Sequence, residues 1–280
     1  MTASLSTTLL APFMVNAFIA GTAIALLTGA VGSMLVLRVE LFTADALSHV
    51  AFTGAMAALL LGLVTGVGLL IACISAAVVL ALLGRRIGRS DAAIGTFFAW
   101  ILGLGTLLLS LASTSSSGST GTSSITVLFG SLFSLSSTGT WLAVIGSTLG
   151  LIALGIVLRP LIYSSIDASI AQARGVPVVG VSIAFAVIVG CATALSVQAV
   201  GALLFVGLVA APAGAAMRAT TNPFATTALS MGLSVAAVWT GLFLSGMIPS
   251  VPPSAAIILV AAAFFGTAKL SESLVARRAR

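Results

Sequence analysis

Charge is what this 280-residue sequence has least of. Only 6% of its residues are charged and 60% are hydrophobic, whereas an average globular protein is about 25% charged. A chain of this composition cannot present a water-solvated surface, so a soluble domain is excluded. The sequence predicts an all-α, polytopic integral membrane protein that forms a single transmembrane domain over residues 1–280.

Residues for covalent and acid–base chemistry are also scarce. The chain has one histidine, His49, and one lysine, Lys269. A zinc-protease helix needs two histidines, a phosphate loop needs GxxxxGK[ST], and a serine hydrolase needs a base and a G-x-S-x-G serine. None of these patterns is present. The chain is therefore predicted not to be an enzyme, and an ATP-driven process would need a separate subunit. A membrane-embedded hydrolase that uses His49 is the alternative that this shortage argues against.

Cysteine pairs and concentrated basic charge are missing as well. Cys73 and Cys191 lie within apolar runs and neither has a CxxC partner, so no disulfide or thiolate cluster is indicated. The net charge of +6 comes from basic residues scattered between the apolar runs. This pattern is typical of the loops of a membrane protein and not of a nucleic-acid-binding face.

Apolar runs dominate what the sequence does contain. A membrane span needs about 20 apolar residues, and the candidate runs are Pro12–Leu37, Leu41–Gly62, Val67–Gly84, Asp91–Leu111, Thr140–Leu158, Val178–Val197, Val200–Met217, Pro223–Leu244 and Ser254–Ala268. The run from Val200 contains Pro212 and several glycines, so it is either a kinked span or a helix that enters and returns. We therefore expect eight or nine spans.

The positions of the basic residues favour nine spans. With nine, all basic clusters lie on one side of the membrane: Arg38, Arg85/Arg86/Arg89, Arg159/Arg174, Arg218 and the tail at 269–280. The uncharged N-terminus and a Ser/Thr-rich tract at about 112–124 lie on the other. The positive-inside rule then predicts an external N-terminus and a cytoplasmic C-terminus, with 112–124 as an external loop.

One polar interruption, residues 161–176, carries charge and has helix signals. Ser165 can cap a short amphipathic helix of about ten residues, and Gly175 follows its C-terminal end. The segment is predicted to lie outside the bilayer or on its surface.

Asp45 and His49 stand out because they are ionisable residues inside an apolar run. They are four residues apart, which places both on one face of a helix. Charged groups in a membrane helix cost about 2.5–3.5 kcal/mol each, so they indicate function by default. Carboxylate and imidazole together suit zinc, manganese or ferrous iron. One chain supplies two ligands, so a complete site would need a second copy related by a twofold axis.

A purely structural role for the pair is the alternative. Asp45 lies in the first turn of its predicted helix, where a carboxylate complements exposed N–H groups, and His49 could simply hydrogen-bond Asp45. The spacing alone does not distinguish the two interpretations. If the helix begins at Leu41, Asp45 is about 6 Å along it, which would place the pair in the cytoplasmic half of the membrane unless the start of the helix is itself recessed within protein.

An ordered series of motifs resembles the permease subunits of the zinc/manganese/iron class of ABC importers. The stretch GAVGSMLVLRVELFTADALSHVAFTGAM is similar to their G-xx-GS-x-LVLR and D-xL-SHA signature, with Asp45 and His49 in its D and H positions. Further similarities follow in DAAIGTFFAWILGLGTLLLSL, LFGSLFSLS, IDASIAQARGVPV and VGALLFVGLVAAPAGAAMR. The resemblance covers nearly the whole chain.

The resemblance implies a permease like that of type II ABC importers, acting as a homodimer in the bacterial cytoplasmic membrane. It implies cytoplasmic ABC ATPase subunits, which bind the ATP, and an external metal-binding protein as partners, with no cofactor on this chain. Asp45 and His49 would be ligands for the transported metal. Residues 161–176 would be the cytoplasmic coupling helix, with Asp167, Arg174 and Gly175 contacting the ATPase. A siderophore- or cobalamin-type ABC permease and a gradient-driven secondary transporter remain open, as does the choice among zinc, manganese and iron.

Overall fold

The fold is a bundle of helices with no strand among the residues described. The computed structural model describes residues 11–86, 91–115, 127–130, 132–248 and 251–278. Its helices are α1 Pro12–Leu37, α2 Leu41–Leu60, α3 Thr65–Arg86, α4 Asp91–Ser115, α5 Ser137–Ile166, α6 Ala168–Ala173, α7 Val178–Val200, α8 Ala202–Ala219, α9 Pro223–Met247 and α10 Pro253–Arg278, with a 3₁₀ turn at Leu132–Ser134. The predicted external loop at 112–124 lies outside the described residues from position 116 onward, as does Arg89.

Eight of these helices are long and apolar enough to cross a membrane, by length and composition. The shorter α8, apolar from Phe205 to Ala219, is the run for which a kinked span or a returning helix was predicted. It is a continuous helix that contains Pro212 and does not return. The predicted class, an all-α polytopic membrane protein, is confirmed.

Contacts at the two ends of the bundle show that α8 also runs from one end to the other. It begins beside residues 128–130, because Gly201 packs against the backbone of that segment. It ends at Ala219, just before α9, whose Thr227 hydroxyl lies 3.0 Å from that of Ser33 near the end of α1. Arg218 and Arg38 therefore lie at the same end of the bundle.

Proline does not end α5 where the sequence predicted. We expected this span to stop at Arg159–Pro160, yet the helix continues to Ile166 with Pro160 inside it. A proline in a membrane helix removes one backbone hydrogen bond, which neighbouring groups can offset. Ser165 consequently lies within α5 and does not cap α6, so that prediction was wrong. The cap is Asp167, and α6 has 6 residues where about ten were expected.

The innermost helices are α1 and α2. Both are mostly buried, whereas most of α4 is exposed on the outside of the bundle. Around α2 lie α3, α4, α7 and α8. Glycines allow these helices to approach closely, as at Gly54 of α2 and Gly68 of α3, each of which packs against the other's carbonyl group.

Gly201 joins α7 to α8 in a conformation that only glycine adopts readily. Its φ is +95° and its ψ is 155°. A Cβ at this position would lie 2.3 Å from the carbonyl carbon of Phe129. Gly130, also at positive φ, packs in return against the backbone of residues 199–201. The two glycines therefore fix the chain after the Ser/Thr-rich tract onto the break between α7 and α8.

We expect Gly201→Ala to destabilise the purified protein. Backbone strain of about 1–3 kcal/mol at about 2–4 °C per kcal/mol gives a fall of roughly 2–12 °C in the melting midpoint, and the backbone clash adds to it. Gly103→Ala is the control, because Gly103 of α4 has no atom within 4 Å of its Cβ position. Equal melting midpoints for the two variants in detergent would contradict the prediction.

Candidate functional site

Asp45 and His49 both lie on α2, one helical turn apart. His49 Nε2 and Asp45 Oδ1 are 3.8 Å apart, which is too long for a hydrogen bond. The side chain of Asp45 is 41% exposed and that of His49 is 13% exposed. The two donor atoms therefore face the same region within ion-pair distance but without a hydrogen bond, and the carboxylate lies on an open face of the protomer.

The structure does not support the interpretation of Asp45 as a helix cap. Helix α2 has no acidic residue in its first turn, and its N-cap is Glu40, whose side chain makes no capping hydrogen bond. Asp45 begins the second turn, where backbone N–H groups already have partners within the helix. The hydroxyl of Ser48 donates to the Asp45 backbone carbonyl at 2.7 Å, which leaves the carboxylate uninvolved.

His49 is positioned by helix α4. The ring of Phe98 meets the imidazole edge-to-face, with centroids 4.7 Å apart and planes at 90°. One turn further along α2, the Thr53 hydroxyl lies 3.0 Å from the Ile101 carbonyl of α4 and 3.2 Å from the His49 carbonyl. This hydroxyl links the two helices directly beside the imidazole. Phe98 and Thr53 were not identified from the sequence, where they look like any other membrane-helix residues.

The pair lies near the middle of the bundle and not near its end. Leu47, between the two residues, accepts a hydrogen bond from the Cys73 thiol of α3 at 3.7 Å. The Cys73 carbonyl oxygen in turn packs on Gly190 of α7, within 2.8 Å of its Cβ position. Gly190 is about 18 Å along α7 from Val178 and about 15 Å from Val200. Since α2 begins inside the bundle, the pair lies deeper than counting along α2 alone indicates, which is the recessed arrangement that the sequence left open.

No third potential metal ligand joins the pair within the described residues, where no group of three or more His, Cys, Asp or Glu side chains occurs. The side chain of Asp91, at the start of α4, is not among those described. Asp45 and His49 thus form a two-donor set on one chain.

The predicted coupling residues lie together around α6. Asp167 Oδ1 accepts hydrogen bonds from the Ser169 hydroxyl (2.6 Å) and from the backbone N–H groups of Ser169 (2.8 Å) and Ile170 (3.1 Å). These bonds, led by that of the Ser169 hydroxyl, lower the pKa of Asp167, so it is ionised at neutral pH. Arg174 is exposed at the other end of the helix, followed by Gly175 at φ +80°. Ile166 and Ile170 are exposed beside them.

Comparison with known proteins places this arrangement in a transport context. Residues 11–271 match the profile of the ABC 3 transport family. The chain is 29% identical over 255 residues to the manganese import system permease protein ScaB of Streptococcus parasanguinis, covering 90% of this chain and 88% of that protein. It is 27% identical over 260 residues to the manganese transport system membrane protein MntC of Halalkalibacterium halodurans, with 91% and 86% coverage.

Two solved structures share the fold. PsaBC from Streptococcus pneumoniae, in complex with a Fab, superposes with a TM-score of 0.82 at 27% identity, over 96% of this chain and 95% of that chain. An inward-facing ABC transporter described as of the metal-chelate type superposes with a TM-score of 0.68 at 17% identity, covering 91% and 86%. The second likeness concerns the fold alone.

Proposed function

Because this chain belongs to the ABC 3 transport family, we propose that it is the membrane-spanning permease of an ATP-driven importer and carries a divalent transition metal. The family predicted from the ordered motifs of the sequence is thereby confirmed. A gradient-driven transporter and a hydrolase do not fit this membership. The observation that supports the assignment to a metal is the Asp45 carboxylate and His49 imidazole, which lie 3.8 Å apart in the middle of the bundle without a hydrogen bond between them.

We propose manganese as the transported ion, with zinc and iron as competitors. The sequence left the three metals open, since carboxylate oxygen and imidazole nitrogen bind all of them. The names of the relatives favour manganese, because both the ScaB and the MntC proteins are described as parts of manganese systems. Mn²⁺ accepts a mixed oxygen and nitrogen environment, whereas a closed tetrahedral site would suit zinc better.

The distance between the two donor atoms is compatible with one shared ion. Donors about 2.1 Å from a metal lie about 3.0–4.2 Å apart for angles of 90–180° at the ion. The 3.8 Å separation of His49 Nε2 and Asp45 Oδ1 is within this range. A position near the bilayer midplane is also where transporters bind their substrates.

The open face of Asp45 supports a second copy of the chain as a partner. A half-exposed carboxylate at this depth cannot face lipid without a large cost, so it must face protein or a water-filled cavity. A twofold axis beside α2 would bring two Asp45 and two His49 side chains together and supply four donors. We propose this homodimer, with the translocation path along its axis.

The end of the bundle that carries Arg38, α6 and Arg218 is proposed to face the cytoplasm. Its basic residues satisfy the positive-inside rule, and α1 begins at the opposite end with an uncharged first turn. On this side, the coupling segment, residues 161–176, would dock on a separate ABC ATPase through exposed groups such as Ile170 and Arg174. An external binding protein would deliver the metal at the other end. The basic tail, 269–280, would be cytoplasmic.

We expect Asp45→Asn and His49→Ala to abolish Mn²⁺ uptake without preventing assembly. Loss of a group that only orients a ligand lowers metal affinity by about 10–100-fold, so loss of a ligand should lower uptake by more than about 100-fold. The measurement is ⁵⁴Mn uptake by proteoliposomes containing permease and ATPase. Glu272→Gln is the control, because it neutralises an exposed carboxylate that pairs with Arg218 at 3.2 Å. Wild-type uptake in both site variants would rule out the ligand assignment.

A site shared by two chains predicts the number of Mn²⁺ ions bound per permease chain. Purified complex equilibrated with Mn²⁺ should bind one ion per two permease chains at this site, since one chain supplies only two donors. Equilibrium dialysis followed by elemental analysis measures the ratio, and His49→Ala subtracts ions bound elsewhere. One His49-dependent ion per chain would contradict the shared site while leaving the metal assignment intact.

Gly175 should be required for coupling. Its φ of +80° strains any other residue, although open space surrounds it. We expect Gly175→Ala to lower the Mn²⁺ transported per ATP hydrolysed by about fivefold or more, the scale of a typical coupling free energy. Gly155→Ala on α5 is the matched control, because it also adds a methyl group in open space. An unchanged ratio in Gly175→Ala would argue against a coupling role for the segment.

A further inference from the structure

Arg38 is a buried cation at the junction of α1 and α2. Only 7% of its side chain is exposed, which is unusual for arginine unless the guanidinium is paired. The group lies over the ring of Phe185 of α7, 5.6 Å from its centroid. Arg38 plays no part in the proposed metal site, and its burial calls for an explanation.

The guanidinium donates to three different elements. Its Nε donates to Glu40 Oε1 at 3.1 Å, its Nη1 to Ser165 Oγ at 3.4 Å and its Nη2 to Ser182 Oγ at 3.4 Å. The fork of an arginine presents several donors in a fixed plane, which lysine cannot reproduce. The Ser165 hydroxyl gives its own proton to the Leu161 carbonyl at 2.6 Å, so its lone pairs are available to Arg38.

The two serines lie on either side of α6, on the helices that precede and follow it. Ser165 is in the last turn of α5, two residues before the capping Asp167. Ser182 is in the first turns of α7, which begins at Val178 after Gly175. One guanidinium therefore contacts both the helix that leads into α6 and the helix that follows it.

The contact between Arg38 and Glu40 links the guanidinium to α2, the helix that carries the candidate ligands. Glu40 immediately precedes α2, on which Asp45 and His49 lie. Between Arg38 and Glu40, Val39 has a φ of +56°, an uncommon and strained conformation for a β-branched residue. Such a conformation persists only where surrounding contacts fix it. The turn is therefore held rigidly, and a shift of Arg38 would also shift the start of α2.

We propose that Arg38 is a positioning residue that couples movement of the coupling segment to α2 and hence to the metal ligands. The proposal rests on the proposed function. Contacts form an unbroken path from α6 through Ser165 and Ser182 to Arg38, and from there through Glu40 to α2. Coupling between distant sites is carried by such chains of hydrogen bonds and rigid helices. Displacement of α6 by an ATPase would pull on this path at two points.

The sharpest test removes the serine contacts and keeps the ion pair. In Ser165→Ala the Arg38–Glu40 bond remains, and the double variant Ser165→Ala/Ser182→Ala removes both links to the coupling segment. Ser75→Ala is the matched control, because the exposed Ser75 hydroxyl of α3 makes the same kind of bond, to the Ala72 carbonyl at 3.0 Å, and lies outside residues 161–176. Arg38→Lys keeps the charge but cannot hold three acceptors in one plane.

The measurement is Mn²⁺ transported per ATP hydrolysed by the reconstituted permease–ATPase complex. We expect the ratio to fall by about fivefold in Ser165→Ala and by about tenfold or more in the double variant and in Arg38→Lys, within the usual range of coupling effects. ATP hydrolysis and assembly should persist, and Ser75→Ala should match the wild type.

Wild-type ratios in the double variant and in Arg38→Lys would overturn the proposal. Loss of assembled complex with a normal ratio in what remains would also overturn it, since Arg38 would then be purely structural. Both outcomes presuppose a wild-type complex that moves Mn²⁺. A wild-type complex that hydrolyses ATP but moves no divalent metal would instead refute the proposed function.

Discussion

The constraint on which this structure depends is the absence of water in the hydrocarbon core of a membrane. Backbone N–H and C=O groups must find partners within the chain, so every long apolar segment that is described here is helical. Many side-chain hydroxyls also find partners and donate to carbonyls of the preceding turn, as Thr193 and Ser196 do in α7. A bundle built in this way has almost no place for charge, and each charge that it keeps therefore needs a reason.

Two ionisable residues in the interior meet this constraint in opposite ways. Arg38 is enclosed and its donors are shared among a carboxylate and two hydroxyls, so its charge is neutralised within the protomer. Asp45 has a carboxylate that is open on one face, with His49 too far away to bond to it. A buried charged group whose hydrogen-bonding atoms all have partners in the protein is typical of a structural contact. A charged group in a membrane protein that has no hydrogen-bond partner is typical of a site that binds a ligand. This contrast is the physical basis for the different roles proposed for the two residues.

Hydropathy predicted the helices well because length and apolar character are local properties. The bounds of α1 were predicted correctly, and the uncertain run from Val200 proved to be a helix. The errors concern properties that depend on neighbours. Pro160 did not end α5, because a membrane helix tolerates a missing bond that an aqueous helix would not. The depth of Asp45 could not be read from its own helix, since it is set by the offset of α2 against α3 and α7. The contact between Phe98 and His49 joins two different helices, so it cannot be recognised from the spacing of residues in the sequence.

A site divided between two chains has a consequence for transport that a complete site in one chain would not have. A translocation site must bind its ion strongly enough to admit it and weakly enough to release it. In the proposed dimer, two donors on each α2 would form a full ligand set only while the two helices are close together. A small separation of the helices would leave each chain with half a site and a much lower affinity for the ion. On the proposed arrangement, the Arg38 link would let the ATPase control that separation, so one helix movement would both open the path and release the ion. The low charge of the bundle suits this mechanism, because no group of three or more His, Cys, Asp or Glu side chains in the described residues competes for the metal.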